Sequence, residues 1–187
     1  MGRYRARDLW RVPGLLSLAR LPLAAAFPFA LARPVAALAV LIAAGISDVL
    51  DGWYARRFAQ VTPTGTALDP VTDKIFVLTV AISLVVRGLL LPTEVVILST
   101  REIAEAPLVA WIALSQHARR QRAHQPAANL LGKIATCFQF AAVTAAVFRA
   151  PHLHVLVAAA GIAGVFAAVG YWARALSQRT LLPRATR

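Results

Sequence analysis

Six apolar runs dominate the chain, at roughly 13–32, 35–57, 66–90, 92–116, 128–149 and 152–176. About 20 residues of helix cross a bilayer core about 30 Å thick, so each run is long enough for a transmembrane helix, and together they use most of the 187 residues. Prolines 34, 63, 92, 126 and 151 stand at or near the junctions, where helices tend to end. The first run, broken only by Arg20, could pass for a signal peptide. No small-residue cleavage site stands out, however, and the runs that follow favour a retained helix. The expected fold is an all-α integral membrane protein: six transmembrane helices in one domain over residues 1–187. A short interfacial segment precedes them, basic and carrying Tyr4 and Trp10 within the first twelve residues. No internal repeat or low-complexity linker interrupts this layout.

Composition agrees. Hydrophobic residues make up 59% and charged residues 15%, with a mean hydropathy of +0.64. A disordered chain or an ordinary soluble enzyme is excluded by these values. The net charge of +12 and pI near 11.6 would suggest nucleic acid in a polar protein. In an apolar one they fit basic loops held against anionic headgroups, so the expected partners are membrane lipids and not nucleic acid. The six-span layout puts 13 of the 20 basic residues on one side, namely Arg3, Arg5, Arg7, Arg11, Arg56, Arg57, Arg119, Arg120, Arg122, Arg174, Arg179, Arg184 and Arg187. Only Arg33, Arg87 and Arg149 fall on the other. Cytoplasmic loops are enriched in Lys and Arg, so a multi-pass protein with both termini in the cytoplasm is expected. The single Cys137 excludes an internal disulfide and reads as packing. The four His residues form no H-x-x-x-H pair and read as interfacial or structural.

The chemistry lies with the acids. Of eight acidic residues, Asp48, Asp51, Asp69 and Asp73 fall within 26 residues, and ionisable groups inside membrane segments are costly and functional by default. At about 100° per residue, Asp48 and Asp51 share one helix face, and Asp69 and Asp73 share another. A turn near residues 60–64 then lets the two pairs face each other near the cytoplasmic surface. Clustered carboxylates need counter-charge to remain ionised. Oxygen-only ligands favour a hard divalent ion such as Mg²⁺ or Mn²⁺, and two such ions can clamp a phosphoryl group during displacement. Salt bridges to Arg56, Arg57 and Lys74 would be an expensive way to join two helices. Gly52 and Ala55 lack bulk beside Asp51, Arg56 can bridge phosphate oxygens, and Gly65 relieves the turn before Asp69.

Asp48, Asp51, Gly52, Ala55, Arg56, Gly65, Asp69 and Asp73 fill every fixed position of D-x2-D-G-x2-A-R-x8-G-x3-D-x3-D. The chain therefore resembles the CDP-alcohol phosphotransferase family. That resemblance implies a membrane enzyme that moves a phosphatidyl or similar group from a CDP-linked donor to an alcohol and releases CMP. It also implies that the four aspartates hold Mg²⁺ or Mn²⁺, in two sites, with Asp73 the candidate base for the acceptor hydroxyl. Gly52, Ala55, Arg56 and Gly65 are then the expected contacts to the nucleotide donor.

Other stretches look like those of phosphatidylglycerophosphate synthases within the family, whose donor is CDP-diacylglycerol and whose acceptor is glycerol 3-phosphate. Asp69-Pro-Val-Thr-Asp-Lys-Ile75 resembles D-P-x-A-D-K-L, and Arg101-Glu102-Ile103 resembles R-E-I. Gly132-Lys-Ile-Ala-Thr-Cys-Phe-Gln139 resembles G-K-I-K-T-x-x-Q, with Ala135 in place of the second Lys. Pro13-Gly-Leu-Leu-Ser-Leu-Ala-Arg20 resembles P-N-L-L-T-L-x-R, with Gly14 and Ser17 substituted. After Ile103, Ala-Glu-Ala-Pro-Leu stands where V-T-G-L-R is usual. Arg101 and Lys133 are the candidate contacts to an acceptor phosphate. The competing roles are an ion pair of Arg101 with Glu102 or Glu105 and a snorkelling Lys133. Gly161 and Gly164 imply close helix packing on a face where two copies could meet as a homodimer. Two alternatives stand beside this reading. One is a cardiolipin synthase or another family member with a different acceptor. The other is a divalent-cation transporter, disfavoured by acids near one membrane face and by the lack of repeat symmetry.

Overall fold

The computed structural model describes residues 12–58, 63–114 and 130–180, and all the secondary structure among them is helical. The helices are α1 (Val12–Ala30), α2 (Pro34–Arg57), α3 (Pro63–Val86), α4 (Pro92–Leu98), α5 (Thr100–Leu114), α6 (Leu130–Val147) and α7 (Leu153–Thr180). Among the described residues, three stretches are long and apolar enough to cross a membrane: Pro34–Asp51, Leu130–Val147 and Leu153–Ala173. Gly14–Ala30 is a shorter apolar helix. The basic N-terminal segment, bar its last residue, and Arg119, Arg120 and Arg122 lie outside the described residues, as do His117 and His124.

Residues 1–90 and 91–187 form two units. In the first, α2 and α3 each pack along α1. The buried positions recur at helical spacing: Ser17, Arg20, Ala24 and Phe27 on α1, Ala37, Leu41, Ala44, Ser47 and Asp51 on α2, and Thr72, Phe76, Val80 and Leu84 on α3. Spacings of three and four keep such residues on one helix face. Helix α1 is the neighbour that α2 and α3 share, and its buried stripe is the surface both pack against. The expected meeting of the two aspartate pairs across the turn includes Asp69, whose side chain lies outside the described residues. Prolines 34 and 63 open α2 and α3, where a missing N–H costs nothing. Helix α3 closes on Gly88 at φ 65°. Leu89 N–H reaches Leu84 O at 2.8 Å and Gly88 N–H reaches Val85 O at 2.9 Å, a Schellman ending that uses the left-handed conformation glycine adopts freely.

In the second unit α7 is the shared neighbour of α4, α5 and α6. Its buried face is made of small residues, with Ala160, Gly161, Gly164, Ala167 and Ala168 among them. A Cβ on Gly161 would lie 2.6 Å from Ile97 Cγ2, and one on Gly164 would lie 3.4 Å from Arg101 Cβ. The two glycines are thus used for packing within the chain, so a second copy would have to meet another face. The fourth apolar run, expected as one helix over 92–116, is broken. The α4 helix ends at Leu98, and α5 starts at Thr100. The Thr100 hydroxyl donates to Ile97 O at 2.7 Å and Val96 O at 3.3 Å, and such local bonds compete with the helix ladder. Cys137 is exposed rather than packed. His154 is structural: its Nδ1 lies 2.7 Å from Oε1 of buried Glu94, whose Oε2 accepts from the Leu91 N–H at 2.8 Å and caps α4.

Candidate active site

The buried stripe of α2 ends on Asp51, and that of α1 carries Ser17 and Arg20. The register brings these residues together. Arg20 Nη2 donates to Asp51 Oδ2 at 2.6 Å and lies 2.8 Å from Asp48 Oδ1. Ser17 Oγ donates to the same Asp51 oxygen at 3.2 Å. The side chains of Arg20 and Asp51 are 1% and 6% exposed, whereas that of Asp48 is 55% exposed. Asp48 is open because it stands one residue beyond Ser47 in the buried stripe. One buried guanidinium thus joins two of the four motif carboxylates.

Sequence reasoning places Arg20 inside a span and gives it no role. Two signals point to it. An arginine in the middle of an apolar run needs a partner, and Arg20 closes the N-terminal stretch of family resemblance. On α3, Thr72 is buried and Asp73 beside it is exposed. The side chains of Gly52, Ala55, Arg56, Gly65 and Asp69 lie outside the described residues. Among the described residues no three His, Cys, Asp or Glu side chains form one cluster. The pair that is described, Asp48 and Asp51, offers oxygen alone, with the Ser17 hydroxyl beside it. That donor set suits a hard divalent ion and not a soft one.

The acceptor candidates lie on α5 and α6. Arg101 Nη1 donates to Thr136 Oγ1 at 2.9 Å and Gly132 O at 3.2 Å, and its Nε lies 3.4 Å from Glu105 Oε1. Of the two ion pairs open to Arg101, the structure has the one with Glu105. Glu102 instead accepts from Gln139 Nε2 at 3.1–3.2 Å, and the same amide donates to Leu98 O at 2.6 Å. The two stretches that resemble R-E-I and G-K-I-K-T-x-x-Q are therefore joined to each other. Lys133 is exposed. Ala135, where that motif has its second lysine, is fully buried, so this position serves packing and not charge.

The chain matches the CDP-alcohol phosphatidyltransferase family over residues 10–176. It belongs to that family. Members generally use divalent metal ions. The chain is 35% identical over 142 residues to a cardiolipin synthase (CMP-forming) of Streptomyces coelicolor, a match that covers 72% of this chain and 63% of the relative, less than two thirds of its length. It is 34% identical over 154 residues to a CDP-diacylglycerol–glycerol-3-phosphate 3-phosphatidyltransferase of Bacillus subtilis, covering 73% of this chain and 76% of that protein. An enzyme of the same name from Salmonella typhimurium is 34% identical over 174 residues, covering 87% and 90%.

Proposed function

We propose that this phosphatidyltransferase takes CDP-diacylglycerol as donor and glycerol 3-phosphate as acceptor. The acceptor hydroxyl oxygen forms a new bond to the phosphatidyl phosphorus. The bond from that phosphorus to the CMP oxygen breaks, and CMP leaves with the electron pair. The observation that carries this reading is the gathering of Asp48 and Asp51 about Arg20, within a family match that spans residues 10–176.

Asp48, Asp51, Asp69 and Asp73 would hold Mg²⁺ or Mn²⁺, as two ions, which when bound would offset negative charge on the donor's phosphates. Gly52 and Ala55 leave the backbone open to the nucleotide, Gly65 eases the turn before Asp69, and Arg56 takes phosphate oxygens. Asp73 accepts the hydroxyl proton. An alcohol is a poor nucleophile until such a base stands within about 2.6–3.2 Å. Arg101 and Lys133 are the contacts to the acceptor phosphate. The chain works as one membrane domain with six spans, with both termini and the acidic site at the cytoplasmic face, which the 13-to-3 distribution of basic residues supports.

A second acceptor, phosphatidylglycerol, is favoured by one observation. Arg101 is already paired with Glu105, and Ala135 is a packed position, so few cations face a doubly charged phosphomonoester. The test is CMP release from CDP-diacylglycerol by the purified protein with each acceptor in turn. Glycerol 3-phosphate should support turnover, and Arg101→Ala should raise its KM far more than that of the donor. Turnover with phosphatidylglycerol alone would replace the first acceptor with the second, and CMP release with neither would remove both.

A further inference from the structure

We propose that Arg20 is a built-in counter-ion of the acidic site: a fixed cation that holds Asp48 and Asp51 together when no divalent ion is present and weakens the binding of that ion when it arrives. The proposal rests on the reading of these two aspartates as cation ligands.

A guanidinium with 1% exposure inside an apolar helix must be neutralised by a neighbour, and α2 supplies both carboxylates to the same Nη2. Arg20 thereby engages one oxygen of each, Oδ1 of Asp48 and Oδ2 of Asp51, and Ser17 adds its hydroxyl to the latter. Two carboxylates three residues apart would otherwise repel each other. With Arg20 between them they are drawn toward one point. Carboxylates that bind metals are normally oriented by a hydrogen-bond partner behind them. This partner differs from the usual carbonyl or water in carrying a full positive charge that it cannot lose. A divalent ion at the same two carboxylates meets that charge at short range in a site that is buried on the Arg20 and Asp51 side and open at Asp48, where repulsion is stronger than in bulk water. The phosphates of a nucleotide donor would offset it, so the ion is held best when the donor is present. Arg20 is thus a positioning residue that also sets how tightly the site is loaded.

The test is Mn²⁺ titration followed by electron paramagnetic resonance, on the full chain in detergent without nucleotide. Wild type, Arg20→Gln, Arg20→Lys and Ser17→Ala are compared. Arg20→Gln, neutral and of similar reach, should bind Mn²⁺ at least about tenfold more tightly, since a unit charge at short range in a partly shielded site is worth more than that factor. Arg20→Lys and Ser17→Ala keep the charge and should stay within about threefold of wild type. Unchanged or weaker Mn²⁺ binding by Arg20→Gln would overturn the proposal. If Arg20→Gln is folded but destabilised in chelator, its melting with and without Mn²⁺ decides the question in the same way. Mn²⁺ should raise its melting temperature more than it raises that of wild type, and equal rises overturn the idea. Wild type that binds no Mn²⁺ would instead remove the metal reading itself, a result distinct from equal binding by both proteins.

Discussion

Asp48 and Asp51 occupy equivalent places in the motif, yet the structure gives them unequal roles in stability. The informative comparison is Asp48→Ala against Asp51→Ala. Asp51 is 6% exposed and accepts from both Arg20 and Ser17. Removing one partner of a buried pair costs about 3–5 kcal/mol. Because Asp48 stays beside Arg20, the lower end applies, about 3 kcal/mol. Asp48 is 55% exposed, so water can replace much of what it gives Arg20, and exposed pairs contribute only about 0–1 kcal/mol. The two variants should therefore differ by roughly 2 kcal/mol, about thirtyfold in the folding equilibrium. Unfolding of each protein by increasing denaturing detergent in mixed micelles, followed by loss of helical circular dichroism, measures this. Chelator must be present throughout, because a ligand that binds only the folded state would add its own stabilisation. Both variants should lack activity. Equal stability losses, or a larger loss for Asp48→Ala, would refute the assignment of Asp51 as the buried partner.

Asp73→Asn keeps the shape and one oxygen but accepts no proton, so turnover should fall about 10²–10⁴-fold while Mn²⁺ binding persists; activity restored by excess Mg²⁺ would make Asp73 a ligand only. Arg149 ends α6 at φ 52° in the position glycine takes at the end of α3, so Arg149→Gly should stabilise the fold by about 1 kcal/mol in the same unfolding assay. Gly161→Leu should destabilise it by more than about 2 kcal/mol, because even a Cβ there meets Ile97, and Ile97→Ala should restore part of that loss. Reporter fusions at residue 1 and residue 187 should both read cytoplasmic if the proposed six-span topology, which the distribution of basic residues supports, is right.

Features set by local chemistry are legible in the sequence. Prolines 34, 63 and 92 stand at helix boundaries as expected, each as the first residue of a helix, and the spacing of the acids names Asp48 and Asp51 as a unit. The break at Ser99 is hidden because it arises from one hydroxyl competing for backbone carbonyls, a signal weaker than the apolar run around it. Arg20 escapes notice because its partners lie 28 and 31 residues away, on another helix. Pairing at that distance leaves no period to read. Arg101 illustrates the converse. Its spacing narrows the partners to a short set, but only the packing of α4 and α5 on α7 and the bridge to α6 decide between them.

The shared neighbour of α2 and α3 is the helix before them, whereas the shared neighbour of α4, α5 and α6 is the helix after them. As the chain emerges from the ribosome, α2 and α3 find their packing surface already in place, and Arg20 is waiting when Asp48 and Asp51 arrive. Among the described residues, helices α4 to α6 share a packing surface that comes only with α7. In the interval Ile97 and Arg101 have not yet met Gly161 and Gly164, and Glu94 lacks His154. Chains halted before residue 153 should therefore keep the helix pairs of the first unit and be cleared by quality control because of the second. The interval before α7 is made should therefore be the vulnerable moment in the biogenesis of this protein.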